Sequence, residues 1–138
     1  MKIKRAIVTG GAGFIGSHMV DLLIKKNFHV TVIDNFVGGH KNNIKHHLKN
    51  KNFKFVKLDI CKIDKNKYNL FKNVDYVYHF AGIGAIMPSI ERPSEYMNVN
   101  IQGTVQVLEA SRKAKVKKFV YAASASCYGL NNSEIDEK

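Results

Sequence analysis

Apolar residues fall in short blocks separated by polar and glycine-rich stretches. "KRAIVTG" (Lys4 to Gly10), "HVTVID" (His29 to Asp34), "FKFVKLD" (Phe53 to Asp59), "VDYVYHFAG" (Val74 to Gly82) and "KKFVYAAS" (Lys117 to Ser124) are β-rich blocks ending at polar or small residues. They predict five strands, most of them buried on both faces. Between the first two, Ile15, Met19, Val20, Leu22 and Leu23 recur at helical spacing from Phe14 to "KKN", which predicts a helix directly after the glycines. "NFVGGH" reads as a flexible turn, "KNNIKHHLKN" as a short, weakly amphipathic helix, and "KIDKNKYNLFKN" as a short helix or loop. Pro88 and Pro93 bracket "SIER" and mark a loop before a long helix that begins near Ser94, with Ser94 as its N-cap. Met97, Ile101, Val105 and Leu108 form one apolar stripe along that helix to about Ala114. Strands alternating with helices in this way predict an α/β fold, a doubly wound parallel sheet with right-handed crossovers.

Length and composition narrow this picture. The 138 residues suit one domain with a sizeable core, spanning 1–130, and the polar 131–138 stretch reads as a tail or the start of a further region. A net charge of +11 raises the question of nucleic acid, and the stretch from His40 to Lys57 contains no acidic residue. It also contains no arginine and matches no nucleic-acid motif, so a solvated lysine-rich face is the expectation and no nucleic-acid partner is assigned. No stretch approaches 18 apolar residues and no signal-peptide core follows the basic N-terminus, which makes a cytoplasmic setting without a membrane partner the default. Cys61 and Cys127 form no CxxC unit and are expected to be buried free thiols.

Candidate chemistry concentrates where strands end. "TGGAGFIG" sets Gly10, Gly13 and Gly16 as G-x-x-G-x-x-G between a strand and a helix, where the chain can turn tightly and backbone N–H groups can approach a pyrophosphate. Asp34 ends the second strand 24 residues after Gly10, where a carboxylate can accept from an adenosine ribose. Its charge, with no arginine immediately after it, favours NAD over NADP. Asp59 ends the third strand as either an adenine-side contact or an Asx cap of the following turn. Ala81 and Gly82 permit close passage of a cofactor, while His79 is as easily structural as chemical. His46 and His47 lack metal-ligand partners at a recognised spacing, so no metal is assigned.

Taken together, "TGGAGFIGSH", "VIDNF", "LDI", "HFAG", "NIQGT" and "YAASASCYG" closely resemble the extended short-chain dehydrogenase/reductase family, in its NAD-dependent nucleotide-sugar epimerase and dehydratase branch. The resemblance spans nearly the whole chain and is greatest to UDP-sugar 4-epimerases. It implies a Rossmann-type sheet, here truncated after about five strands. It also implies a diphosphate loop at Gly10, Gly13 and Gly16 with Phe14 and Ile15 inside it, ribose contacts at Asp34 and Asn35, adenine contacts at Asp59 and Ile60, and nicotinamide-side contacts at Ala81 and Gly82. Gly82 departs mildly from the family's usual alanine. The resemblance further makes Asn100 an organiser of the active-site backbone, and Ser124 the catalytic-site hydroxyl that hydrogen-bonds the sugar 4-hydroxyl, with Tyr128 and Gly129 ending its motif. The family's tyrosine base and its lysine partner lie about twenty or more residues beyond that serine. Neither Tyr121 nor Tyr128 has a lysine four positions on. The expectation is thus a cofactor-binding N-terminal part that is inactive alone, with a nucleotide-sugar substrate and a possible homodimer belonging to a full-length form. A nucleotide-sugar dehydratase or decarboxylase, and a non-catalytic NAD-binding domain, are the competing readings.

Overall fold

The computed structural model describes residues 3–124 and 128–129. Five strands, β1 (Arg5–Thr9), β2 (His29–Asp34), β3 (Phe53–Lys57), β4 (Tyr76–His79) and β5 (Lys118–Tyr121), pair in parallel in the order β3-β2-β1-β4-β5. The winding reverses between β1 and β4, which opens a crevice beyond the carboxyl ends of these two strands.

Alternation along the strands divides the core. Ala6 and Val8 of β1 join Val30 and Val32 of β2 beneath helix α1 (Phe14–Lys25), which contributes Val20 and Leu23. Ile7, Ile33 and Val77 point to the opposite face, where Phe71, Val107 and Ala110 cover them. The buried line of α1 is Gly16, Val20 and Leu23, whereas Ile15 and Leu22 are exposed. A helix lying on a sheet buries a stripe narrower than its apolar composition suggests.

One local expectation is refined and two are corrected. Lys41–His47 is a 3₁₀ helix, and its two buried residues, Ile44 and His47, stand three apart, as that helical period requires. The segment expected to loop between the prolines instead contains helix α2 (Ile86–Glu91), in which Pro88 occupies the first turn, where no backbone N–H is needed. Ser94 is not an N-cap. Arg92 holds that position and Pro93 follows it as the first helical residue, so Ser94 already lies inside α3 (Pro93–Met97).

From α3 the chain continues through a π-helical turn, Asn98–Gly103, into α4 (Thr104–Lys113). Gly103, Val107, Ala110 and Ser111 face inward. A Cβ at Gly103 would lie 2.6 Å from Ile60 Cδ1, so this glycine sets how closely the helix approaches the sheet layer. The predicted stripe of Met97, Ile101, Val105 and Leu108 therefore faces outward and is exposed, as are Val120 and Tyr121 of β5. No helix among the described residues is long and apolar enough to cross a membrane.

Candidate functional site

Gly10 turns the chain out of β1 with a φ of +67°, donates its N–H to the Ile33 carbonyl at 2.9 Å, and accepts from the Gly13 N–H at 3.0 Å. A Cβ there would sit 2.7 Å from the Ala81 nitrogen, so the loop lies directly against the backbone leaving β4. A Cβ on Gly16 would come within 2.8 Å of the Gly10 carbonyl carbon, which explains how α1 starts so close to the loop. Gly13 is the N-cap of α1, and the first turn has neither a side-chain cap nor an acidic residue. The positive end of the helix dipole is thus not neutralised by its own side chains. Phe14 and Ile15 turn their side chains outward.

Asp34 stands at the end of β2 beside this loop and is buried. One carboxylate oxygen accepts from the Ala12 N–H at 2.9 Å and the other from the Phe36 N–H at 2.7 Å. The carboxylate therefore braces the glycine loop and the turn after β2, yet each oxygen retains a lone pair for a ligand hydroxyl. Asn35 accepts from the Val37 N–H at 3.1 Å. Asp59 does what an Asx cap does, accepting from the Cys61 N–H at 2.9 Å, and it also lines the cleft. Gly10, Gly13, Asp34, Asn35, Asp59, Ile60, Ala81 and Gly82 all border one continuous cleft. Gly16, Phe14 and Ile15 are not among the residues that border it: Gly16 packs on the Gly10 carbonyl, and the side chains of Phe14 and Ile15 are exposed.

A second cavity shares Ala81 and Gly82 with the first and extends to Asn100 and Ser124. Asn100 sits in the π-helical turn, accepts from the Ile83 N–H at 2.9 Å and donates to the Ile83 carbonyl at 2.8 Å. This paired bond fixes the chain where the two cavities meet. Ser124 is exposed on the far wall, and Tyr128 is exposed as well. Ser126 and Cys127 of the same motif lie outside the described residues.

His79 is structural. Thr104 donates its hydroxyl to the Asn100 carbonyl at 2.7 Å and so must accept from His79 Nε2 at 2.9 Å. Thr9 accepts from the Ala81 N–H at 3.3 Å and donates to His79 Nδ1 at 2.6 Å. The network selects the neutral Nε2–H tautomer. Burial agrees with it, pushing the imidazole from its ordinary 6.5 down to about 4.

Cys61 is half-buried rather than buried, and its thiol donates to the Asn98 carbonyl at 3.5 Å. Burial, with the Asp59 charge beside it, pushes this thiol up to about 11. Only about one thiol in ten thousand is ionised at pH 7. In a Cys127→Ser background, maleimide labelling of the native protein should run about a hundredfold slower than that of a small free thiol, and labelling at the free-thiol rate would contradict this environment.

Several contributors were not legible in the sequence. Asn43 donates to the Ala12 carbonyl at 2.8 Å, and the His40 N–H reaches the same carbonyl at 2.9 Å. Together they hold the Val37 to Gly39 stretch over the cleft, where the sequence had suggested only a flexible turn. Tyr68 and Lys72 have the tyrosine-to-lysine spacing of a base pair, but Tyr68 packs against the core and Lys72 groups with Arg5 and His29 at the amino ends of the strands, away from both cavities.

A glycine loop at a helix N-terminus, a carboxylate ending the next strand and a crevice at the reversal of winding are the marks of a Rossmann-like α/β fold. The chain belongs to the NAD dependent epimerase/dehydratase family, whose model matches residues 6–138. A Methanocaldococcus jannaschii protein, named provisionally as a UDP-glucose 4-epimerase, is 42% identical over 127 residues, which is 91% of this chain and 40% of that protein. Among solved structures, the UDP-N-acetylglucosamine 4-epimerase from Methanobrevibacter ruminantium in complex with UDP-N-acetylmuramic acid superposes with a TM-score of 0.85 at 35% identity, covering 99% of this chain and 43% of that one. The dTDP-glucose 4,6-dehydratase DesIV from Streptomyces venezuelae, solved with NAD bound, gives a TM-score of 0.86 at 31% identity, covering 94% and 42%. The chain thus spans about two fifths of the length of the relatives it matches.

Proposed function

We propose that this chain forms the NAD-binding part of an NAD-dependent nucleotide-sugar 4-epimerase. The observation that carries the reading is the placement of Asp34, whose carboxylate borders the same cleft as Gly10 and Gly13 while bracing the glycine loop. The cleft fits a dinucleotide in its chemistry. Uncapped helix N–H groups suit a pyrophosphate, and a carboxylate suits a ribose diol. The same carboxylate would meet a 2'-phosphate with like charge, which favours NAD over NADP.

When bound, NAD supplies hydride acceptance from, and return to, the sugar carbon. The chain's own residues hold the space in which that happens. Gly10, Gly13 and the first turn of α1 would hold the diphosphate, Asp34 and Asn35 the adenosine ribose, and Asp59 and Ile60 the adenine. Ala81 and Gly82 leave room at the nicotinamide end, and Asn100 keeps the Ile83 backbone fixed beside it. Ser124, on the wall of the adjoining cavity, would orient the sugar 4-hydroxyl. The similarity to 4-epimerases of UDP-sugars supports this substrate class.

Calorimetry with NAD and NADP tests the assignment. NAD should bind at least about tenfold more tightly, a difference of about 1.4 kcal/mol. Asp34→Ala should weaken NAD and narrow the preference. Equal affinities for the two cofactors in the unmodified protein, or an unchanged preference in the variant, would remove Asp34 from the ribose site.

A further inference from the structure

Away from the cleft, α1 and the 3₁₀ helix Lys41–His47 meet through a cluster of side chains. Asp21 Oδ1 lies 2.9 Å from His46 Nε2 and 2.6 Å from His47 Nε2, and the three potential ligand atoms all fall within 4.8 Å of one another. The other carboxylate oxygen has His18 Nδ1 at 4.0 Å. We propose that Asp21, His46 and His47 bind a divalent transition metal, zinc foremost, with His18 as the nearest further donor. The sequence reading assigned no metal because it found no partner for the two histidines at a recognised spacing; the fold brings Asp21 to them.

Convergence is the first argument. Consecutive residues on a 3₁₀ helix point about 120° apart. Yet both imidazoles turn the same nitrogen toward one oxygen, with ring centroids 4.0 Å apart. His47 is held in that posture, its side chain only 11% exposed and its ring 5.6 Å from that of Phe53. Donor chemistry is the second. Two imidazole nitrogens and one carboxylate oxygen match zinc and its neighbours, whereas magnesium and calcium prefer sites built wholly of oxygen. A carboxylate beside two neutral imidazoles is a donor set such an ion takes.

Occupancy asks three ligand atoms that already lie within 4.8 Å of one another to settle at even spacing. A tetrahedral ion with bonds of about 2.0–2.1 Å separates its ligand atoms by about 3.3 Å, so the two N–H···O contacts would open by about half an ångström. Each neutral ring would keep one hydrogen, carried on Nδ1 instead of Nε2. None of the three residues borders the cofactor cleft, and the site does not depend on NAD. Its structural effect would be to tie α1 to a segment whose other end, through His40 and Asn43, holds the Ala12 carbonyl of the glycine loop.

Equilibrium dialysis of zinc against the tag-free full chain, stripped with a chelator, should give one saturable site. Cobalt(II) at the same site should give visible absorption bands of tetrahedral intensity. His46→Ala, at an exposed position, and Asp21→Asn should each weaken zinc by about tenfold or more and remove the cobalt bands, with unchanged far-ultraviolet circular dichroism as the control for folding. Absence of saturable zinc binding would overturn the proposal. So would equal binding by the His46→Ala/His47→Ala double variant, because the cluster would then serve only to hydrogen-bond the two segments together.

Discussion

Replacing Gly10 by alanine should destabilise the fold by about 3 kcal/mol or more, while replacing Gly13 by valine should leave the fold standing and sharply weaken NAD binding. The two glycines belong to one loop but are constrained by different things. Gly10 has a left-handed backbone, which costs a side chain about 1–2 kcal/mol, and its Cβ would press at 2.7 Å on the Ala81 nitrogen and at 2.8 Å on the Phe80 carbonyl carbon. Backbone atoms cannot swing aside as a side chain can, so β1 and β4 would have to separate. Gly13 has an ordinary φ of −77°, and its Cβ would meet only the Gly10 carbonyl oxygen, at 3.2 Å. The added valine would occupy the space in which a diphosphate must approach the helix. NAD affinity should fall by about a hundredfold, equivalent to about 2.7 kcal/mol. Urea unfolding and NAD calorimetry on both variants check the contrast. Wild-type stability in Gly10→Ala would contradict the packing of the loop on β4, and wild-type NAD affinity in Gly13→Val would remove the loop as the diphosphate site.

The second large effect is a loss of stability in mild acid that belongs to His79. Its imidazole titrates at about 4 in the folded protein against an ordinary 6.5, so between these values the unfolded chain binds the extra proton. Stability from this group is fully present above about pH 6.5, declines below it, and is lost as pH falls through about 4. The loss amounts to about 3 kcal/mol, at 1.36 kcal/mol for each pH unit of displacement. Urea unfolding from pH 7 to pH 4 should show this slope, and it should be absent in His79→Asn, whose lower overall stability at pH 7 is expected from the cut network. An identical slope in both proteins would place the sensitivity elsewhere.

Much of the sheet was legible because β1 is buried on both faces, β2 and β4 are at least partly covered on both, and their apolar blocks leave little room for another period. The same holds for the cleft at the strand ends, since its loop and carboxylates are placed by strand ends that the sequence marks clearly. What failed to show was set by contacts distant in sequence. The stripe from Met97 to Leu108 has a helical period, but period alone does not say which face turns inward. The inward face is the one carrying Gly103, Val107 and Ala110, and at Gly103 a side chain would collide with Ile60. Asp21 is separated from His46 and His47 by 25 and 26 residues and meets them only because Lys41–His47 folds back onto α1. Asp59 could be either cap or cleft residue on sequence grounds, and it is both. For His79 the decision rested on two threonines, one five strand residues into the fold and one beyond the π-helical turn, that no spacing rule links to it.

The hydrogen-bond line through His79 has a direction and two closed ends. It begins at the amide of Ala81, passes Thr9, the ring and Thr104, and stops at the carbonyl of Asn100. Backbone amides neither release nor take up protons at neutral pH, so no proton can enter at one end and leave at the other. The line through His79 is therefore closed to proton relay: it ties β1 and β4 to the turn before α4 without acting as a wire between them.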